Sequence, residues 1–584
     1  MKISFFLIFL PLISSLSIPH HKIKNNKLRK LWLDKDFKEN MTPFYKERQK
    51  YKPKICELLQ NLSEIELIEG KEIESISDQE KIKELFPKTY GFRSIEIKKG
   101  KNNFDLKKKL RLGLVFLGGN SPGGHNVIVG LYDALKEANP ENELIGYIGT
   151  MDCTFSREFV PIVIMDDEII DAYRNSGGYD LLGADKIKEN EFEYVLHALN
   201  CSNFDGMIII GGDDSNTLTA KLTEYFYENN RSNITLIGIP ATTHGNLKNK
   251  KIETTIGFDT TAKTFSQLVG NIQRDCMSSR KYWHFIRIKG RSASHLVLEV
   301  ALNTHPTWAI ISEEVKSKNL SLYQVAENIA DLVEKRGRNG FNFGVLLLPE
   351  GLLEFFPDFR NLINEINYYL VGEFRNITDF DLQIDYIHKT LNREAIHLLD
   401  LLSEKTQKEL INNRNEINRI DIIMLEPEKI LAEIVISILE KRKSKIPFIP
   451  VYHSFNHEGI SAFPSNFDAT YAYNLGRLSM ILSAAKITGQ IALFKNLNKF
   501  VEDWIPESFP IIGLMDIEEK KNRLIPVIKK AFVDLDGKPF KYYEKIREEW
   551  SQGDDKFAFP GAIQYYGNRD ICDLPSKTLL IEKS

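Results

Sequence analysis

Asp205-Gly-Met-Ile-Ile-Ile-Gly-Gly-Asp-Asp-Ser-Asn-Thr217 is the stretch from which the rest of the chain can be read. Met207 to Ile210 are consecutive apolar residues and predict a buried strand, while the pattern from Asn216 to Phe226 predicts an amphipathic helix. Gly211 to Asp214 is then a strand-to-helix turn. Glycines there let a ligand approach the backbone, and the helix N-terminus favours anions. Adjacent carboxylates can hold the Mg²⁺ that accompanies a polyphosphate. The plainer alternative is a tight turn in which Asp213 or Asp214 only caps the first helical N–H groups.

The same plan recurs on both sides. Upstream, the strand Leu112 to Leu117 runs through Gly118-Gly-Asn-Ser-Pro-Gly-Gly-His-Asn126 into a helix from Val127 to Glu137. Downstream, Thr235 to Ile239 is followed by Pro240-Ala-Thr-Thr-His-Gly-Asn-Leu247 and a helix from about Asp259 to Met277. A fourth strand, Tyr282 to Ile288, leads into Lys289-Gly-Arg-Ser-Ala-Ser-His295. Repeated strand, loop and helix units predict an α/β fold with parallel, doubly wound sheets, whose ligand sits beyond the carboxyl ends of the strands. Residues 31–108 read as charged helices and loops without chemistry. From Leu352 to about Lys445 the periods are helical, as in Ile396 to Lys408 and Ile430 to Lys441. The chain returns to the sheet at Pro447-Phe-Ile-Pro-Val-Tyr452, and residues 513–584 carry no catalytic signal.

Composition narrows the function classes. The 584 residues are 42% apolar and 27% charged with a net charge of −3, which suits a globular protein with large cores and argues against nucleic acid as a partner. Five cysteines stand without metal-ligand or disulfide-framework spacing. Lys2, the apolar run Phe5 to Ile13 and the small residues Ser15 and Ser17 resemble a signal peptide over residues 1–19. The basic run His20 to Lys30 suits the second half of a bipartite leader. The expectation is a secretory or organellar route; a harmless apolar extension is the alternative. No later apolar run approaches the roughly 18 residues of a membrane span, so the mature form is expected to have no membrane partner.

Several motifs carry a resemblance. Gly118 to Asn126, Gly211 to Thr217, Gly257-Phe-Asp-Thr260, Gly290 to His295, Thr304-His-Pro306 and Leu348-Pro-Glu-Gly351 resemble the phosphofructokinase family, in order, and the similarity reaches Pro560-Gly-Ala-Ile-Gln564. More closely they resemble the long subunits of its pyrophosphate-dependent branch, which use pyrophosphate and Mg²⁺ to phosphorylate fructose 6-phosphate reversibly. The resemblance implies a phosphofructokinase fold of two lobes: a phosphate-donor lobe over 109–280, and a sugar-phosphate lobe over 281–351 and 446–512. Around these lie an N-terminal extension (20–108), a helical insertion (352–445) and a C-terminal segment (513–584). By the same resemblance Asp213 is the metal-site carboxylate and Gly119 the backbone contact to the phosphate donor. Asp214 stands where the ATP-using branch has glycine, which implies pyrophosphate as donor. Members are usually cytosolic.

The decisive loop departs from the family, which carries Pro-Lys-Thr-Ile-Asp-x-Asp-Leu. Its lysine and two aspartates are replaced here by Ala241, His244 and Asn246. Ala184 and Ile460 stand where phosphate-facing arginines are expected. Sugar-phosphate positions that the resemblance retains are Thr242, Lys281, Tyr282, Gly290, Arg291, Glu350 and His457, with Lys289 replacing a methionine. Because phosphoryl transfer depends on positioned charge, the expectation is a regulatory or catalytically degenerate subunit. Its expected partners are a catalytic homologous subunit in an oligomer, fructose 6-phosphate or a fructose bisphosphate, and pyrophosphate or phosphate. The alternatives are an active transferase using His244 as base and a stand-alone sugar-phosphate binder.

Overall fold

The computed structural model of the chain describes residues 41–149, 162–184, 187–201, 203–369, 380–412, 414, 419–520, 523–553 and 556–584. The leader-like residues 1–19, the basic run after them and Lys186 lie outside the described residues.

Two sheets carry the fold. At the centre of the first are β3 (Arg111–Leu117), β6 (Gly206–Gly211) and β7 (Thr235–Pro240), which run parallel with Leu117 opposite Gly211 and Gly211 opposite Pro240. Their carboxyl ends are therefore level. β4 (Glu143–Tyr147) extends the parallel set beside β3, and β12 (Gln490–Lys495) beside β7. The strands are apolar nearly throughout because both faces are covered. Leu114, Phe116, Ile208 and Ile210 face a core shared with the helices α1 (Gly124–Ala138) and α7 (Asn466–Ala484). Val115, Leu117, Met207 and Ile209 face the other way, onto Leu218, Leu222 and Phe226 of α2 (Asp213–Glu228).

The second sheet has the order β11 (Pro450–Phe455), β8 (Trp283–Ile288), β10 (Gly344–Pro349), β9 (Trp308–Ala309), and is parallel throughout. Ile288 lies opposite both Pro349 and Phe455, so these carboxyl ends are level too. One face packs on α3 (Phe258–Ser279) and α4 (His295–Thr304), the other on α5 (Leu322–Arg338) and α6 (Pro427–Lys441). Leu431, Ile434, Val435 and Ile438 of α6 share the core of Phe285, Leu346 and Leu348, so residues 352–445 cover a sheet face. The lobes join at the N-termini of α3 and α7, where Asp468 accepts the N–H groups of Gly257 (3.0 Å) and Thr260 (2.8 Å). Burial, with Asp259 nearby, pushes the Asp468 carboxyl up to about 7.

The architecture departs from the sequence expectations in three places. First, residues 31–108 are not only helices and loops. β1 (Ile65–Glu72) and β2 (Arg93–Lys99) pair antiparallel and join the first sheet through β13 (Ile505–Pro510), with Ile65, Ile95 and Ile97 turned into the core. With β5 (Ile162–Ile164) antiparallel on β4, the sheet is mixed at both edges. Its order over the described residues is β1-β2-β13-β12-β7-β6-β3-β4-β5. Second, residues 446–512 are divided: β11 belongs to the second sheet, whereas α7, β12 and β13 build the first. Backbone contact between helices is the reason, since a Cβ on Gly130 of α1 would meet Tyr473 O of α7, and one on Gly476 would meet Val127 O. Third, α3, expected in the first lobe, buries Phe265 and Val269 under the second sheet.

Candidate functional site

Because both sheets end level, each gathers its turns at one rim. At the first rim Gly118 has φ +88°, in the left-handed region that glycine adopts without cost, and Gly119 is exposed with open space where a side chain would stand. Asn120 Nδ2 donates to Ser461 Oγ of the second lobe at 3.2 Å, so the Gly118–Gly123 turn reaches across the cleft. Asp213 and Asp214 form the first turn of α2, with Asp214 exposed. Burial and the Asp214 carboxylate raise the Asp213 carboxyl above its usual range, and Lys530 opposes them.

The Pro240–Leu247 loop lies beside that turn. Ala241 is buried and its N–H donates to Gly211 O at 2.9 Å, so no cation is presented from this position. Thr242 Oγ1 bonds to Asn246 Oδ1 at 3.3 Å and receives the His244 N–H at 3.4 Å, which commits the threonine hydroxyl inside the loop. Gly245 is left-handed (φ +72°), and an added Cβ would come within 2.8 Å of His295 Cβ. His244 is partly buried, and its Nδ1 is sealed from water without a hydrogen-bond partner among the described residues. Burial and the Lys289 ammonium push its pKa down to about 4 against the pull of Glu350. The ring is neutral at pH 7, set between the two rims.

The second rim supplies Lys289, Gly290, Arg291, Glu350 and Asn456. Lys289 Nζ donates to Asn456 Oδ1 at 2.6 Å, and the Gly290 N–H donates to Glu350 Oε2 at 3.2 Å. Arg291 is exposed and pairs with Glu354 at 3.0 Å. A Cβ on Gly351 would overlap Arg291 O, so only glycine fits where these two turns touch. His457 is exposed, whereas Ile460 is buried and offers nothing to an anion. Ala184 packs against the first-lobe core.

Two expected members are not brought to this rim. Lys281 and Tyr282, stacked as cation and ring at 5.0 Å, precede β8 and so lie at its amino end. The strand separates them from Lys289 by about 20 Å. Conversely, the C-terminal segment, read as silent, passes over the first rim. After β15 (Arg523–Ile528), which pairs with β14 (Met515–Lys520), Ala531 N–H donates to Asn246 O at 2.8 Å. His295 Nε2 lies 3.3 Å from Ala531 O. A carbonyl only accepts, so Nε2 carries the proton. Lys530 and Ser461 lacked any local signal, since each is brought to its partner by segments far apart in sequence.

The donor set suits Mg²⁺, which takes one or two carboxylates and completes its shell with water and phosphate oxygens. Asp213, with Asp214 beside it, would be such a carboxylate, and the repulsion between the two is what a divalent cation would relieve. Among the described residues, no group of three or more His, Cys, Asp or Glu is arranged to hold a metal. The protein would therefore supply only part of the shell.

Comparison with known proteins gives a consistent picture. A family model described as phosphofructokinase matches residues 111–389. A pyrophosphate–fructose 6-phosphate 1-phosphotransferase of Entamoeba histolytica is 42% identical, over 93% of this chain and 100% of that one. Two subunits of the Arabidopsis thaliana protein with the same activity in their names are also similar. Subunit beta 2 is 37% identical over 88% of this chain and 90% of its own length, and subunit alpha 2 is 33% identical over 92% and 88%.

Proposed function

Since this chain belongs to the phosphofructokinase family, we propose that it is a regulatory or catalytically degenerate pyrophosphate-dependent member of fructose 6-phosphate metabolism, binding sugar phosphate and pyrophosphate beside a catalytic homologue. The observation that carries this is the composition of one loop. Where the two rims meet, Ala241 adds no charge, His244 is neutral and Asn246 is occupied by Thr242. Transfer of a phosphoryl group needs a cation for its developing charge and a base for the sugar hydroxyl. Binding needs less. Glu350, Arg291, Lys289 and the glycine turns remain to position a sugar phosphate and a donor, and Asp213 with Asp214 would hold Mg²⁺, which would neutralise pyrophosphate.

The placement of Lys281 and Tyr282 supports assembly. A pair held at the amino end of β8 does not serve the rim at its carboxyl end, and is available to the pocket of a neighbouring subunit. The alpha and beta names of the plant relatives fit such pairing. Co-expression with a homologue from the same genome that carries the intact Lys-Thr-Ile-Asp loop tests it. The expected result is a stable complex whose affinity for fructose 6-phosphate falls by on the order of tenfold with Arg291→Ala in this chain. Coupling of this kind is reciprocal, so substrate on the partner should tighten binding here. A chain that stays alone and ignores every sugar phosphate would end the proposal.

The donor is the second expectation. Asp214, exposed at the head of α2, adds bulk and negative charge against the α-phosphate of a nucleotide. Calorimetry should show pyrophosphate binding at least about tenfold tighter than ATP, with Asp214→Gly narrowing the gap. Tight ATP binding unchanged by that substitution would remove the argument.

A further inference from the structure

We propose that Lys530, in the C-terminal segment, is a binding cation of the phosphate-donor site, holding the donor phosphate from outside the Pro240–Leu247 loop without replacing the transfer chemistry that the loop lacks. The inference deepens the functional reading and rests on it, because it takes the Gly118–Gly119 and Gly212–Asp214 turns as the seat of pyrophosphate or phosphate.

Backbone bonds on either side fix where this lysine stands. Ile528 N–H donates to Thr217 Oγ1 in the first turns of α2 at 3.0 Å, and Ala531 N–H donates to Asn246 O at 2.8 Å. Residues 529 and 530 are therefore stretched between the head of α2 and the Pro240–Leu247 loop. Successive side chains of an extended segment point to opposite sides. Lys529 turns outward, its N–H held by Leu514 O at 3.0 Å and its ammonium 3.5 Å from Asp516. Lys530 takes the other side and is half-buried. That side carries the head of α2, whose Thr217 holds Ile528, and the Pro240–Leu247 loop, whose Asn246 holds Ala531.

The chemistry of the site asks for such a group. Asp213, Asp214 and a pyrophosphate bring like charges together, and one Mg²⁺ leaves the assembly anionic. An ammonium on a flexible stem binds phosphate as a point charge and needs no bidentate geometry. The α2 N-terminus adds only a partial charge. The ligand class is an inorganic polyphosphate or phosphate held with Mg²⁺, and a chain without transfer chemistry keeps it as a bound ligand.

Calorimetry with pyrophosphate and Mg²⁺ on the full chain is the test, with fructose 6-phosphate titrated separately. Lys530→Gln should weaken pyrophosphate by on the order of 10–100-fold. Lys530→Arg should retain most of the affinity, and Lys529→Gln should leave it unchanged. Fructose 6-phosphate affinity should be the same in all three. Unchanged pyrophosphate affinity in Lys530→Gln, with a shifted unfolding midpoint, would reduce Lys530 to a structural partner of Asp213 and overturn the inference. A wild-type chain that binds fructose 6-phosphate but no pyrophosphate would also overturn it, while leaving the sugar-phosphate reading intact.

Discussion

Purified alone and given fructose 6-phosphate, pyrophosphate and Mg²⁺, the chain should turn over at least about 10³-fold more slowly than the same chain carrying Ala241→Lys, His244→Asp and Asn246→Asp together. Loss of one preorganised charge costs on the order of 10²–10³ in rate, and the losses need not add. The scaffold for a gain is present: the three positions sit between level strand ends, next to Asp213 and opposite Glu350. The gain should fall short of full activity because Ile460 is buried and Ala184 packs against the first-lobe core, so the two arginines that the resemblance would place there stay absent. His244 is a poor substitute base. Its imidazole would have to take up positive charge beside Lys289, and burial already opposes that charge. His244→Ala in the otherwise native chain is accordingly expected to change nothing measurable in a coupled assay. Robust turnover by the native chain that vanishes with His244→Ala would reverse the proposal and make the histidine the base.

Gly130→Ala should lower unfolding stability by about 3 kcal/mol or more, a large effect for one methyl group. α1 and α7 approach so closely at Gly130 and Gly476 that each glycine faces a backbone carbonyl of the other helix. A carbonyl in a helix has no rotamer to change. The helices must move apart, and the core of Val127, Leu131, Leu475 and Leu478 loosens with them. Gly119→Ala is the contrast, because nothing lies within 4 Å of its added Cβ; its denaturant midpoint should hold within about 0.5 kcal/mol. A Gly130→Ala midpoint equal to that of the native chain would show that the two helices are not locked together as described.

The strand-to-helix turn at Gly211–Asp214 was readable because its signals are local: four apolar residues, two glycines and a helical period lie within one stretch of chain. The same holds for the turns after β3, β7 and β8, and the resemblance added the expected role of each position. The exchanges that the resemblance implies at Ala241, His244 and Asn246 were equally plain, since an amino acid declares its own charge and its own lack of one. Other features depend on pairing that no neighbour in sequence announces. β12 lies beside β7 because Gln490 meets Ile237, and β1 and β2 extend the sheet only through β13, some 400 residues downstream of them. The separation of Lys281 from Lys289 follows from a strand being a rigid spacer, which a list of matching positions conceals. Lys530 is the clearest case. In sequence it is one of two adjacent lysines, and only hydrogen bonds to Thr217 and Asn246 bring Lys530 between the head of α2 and the Pro240–Leu247 loop while Lys529 pairs with Asp516. Local chemistry was legible because it is carried by single residues and short periods; the assembly of the site was not, because distance in space is set by strand register and packing between segments far apart in the chain.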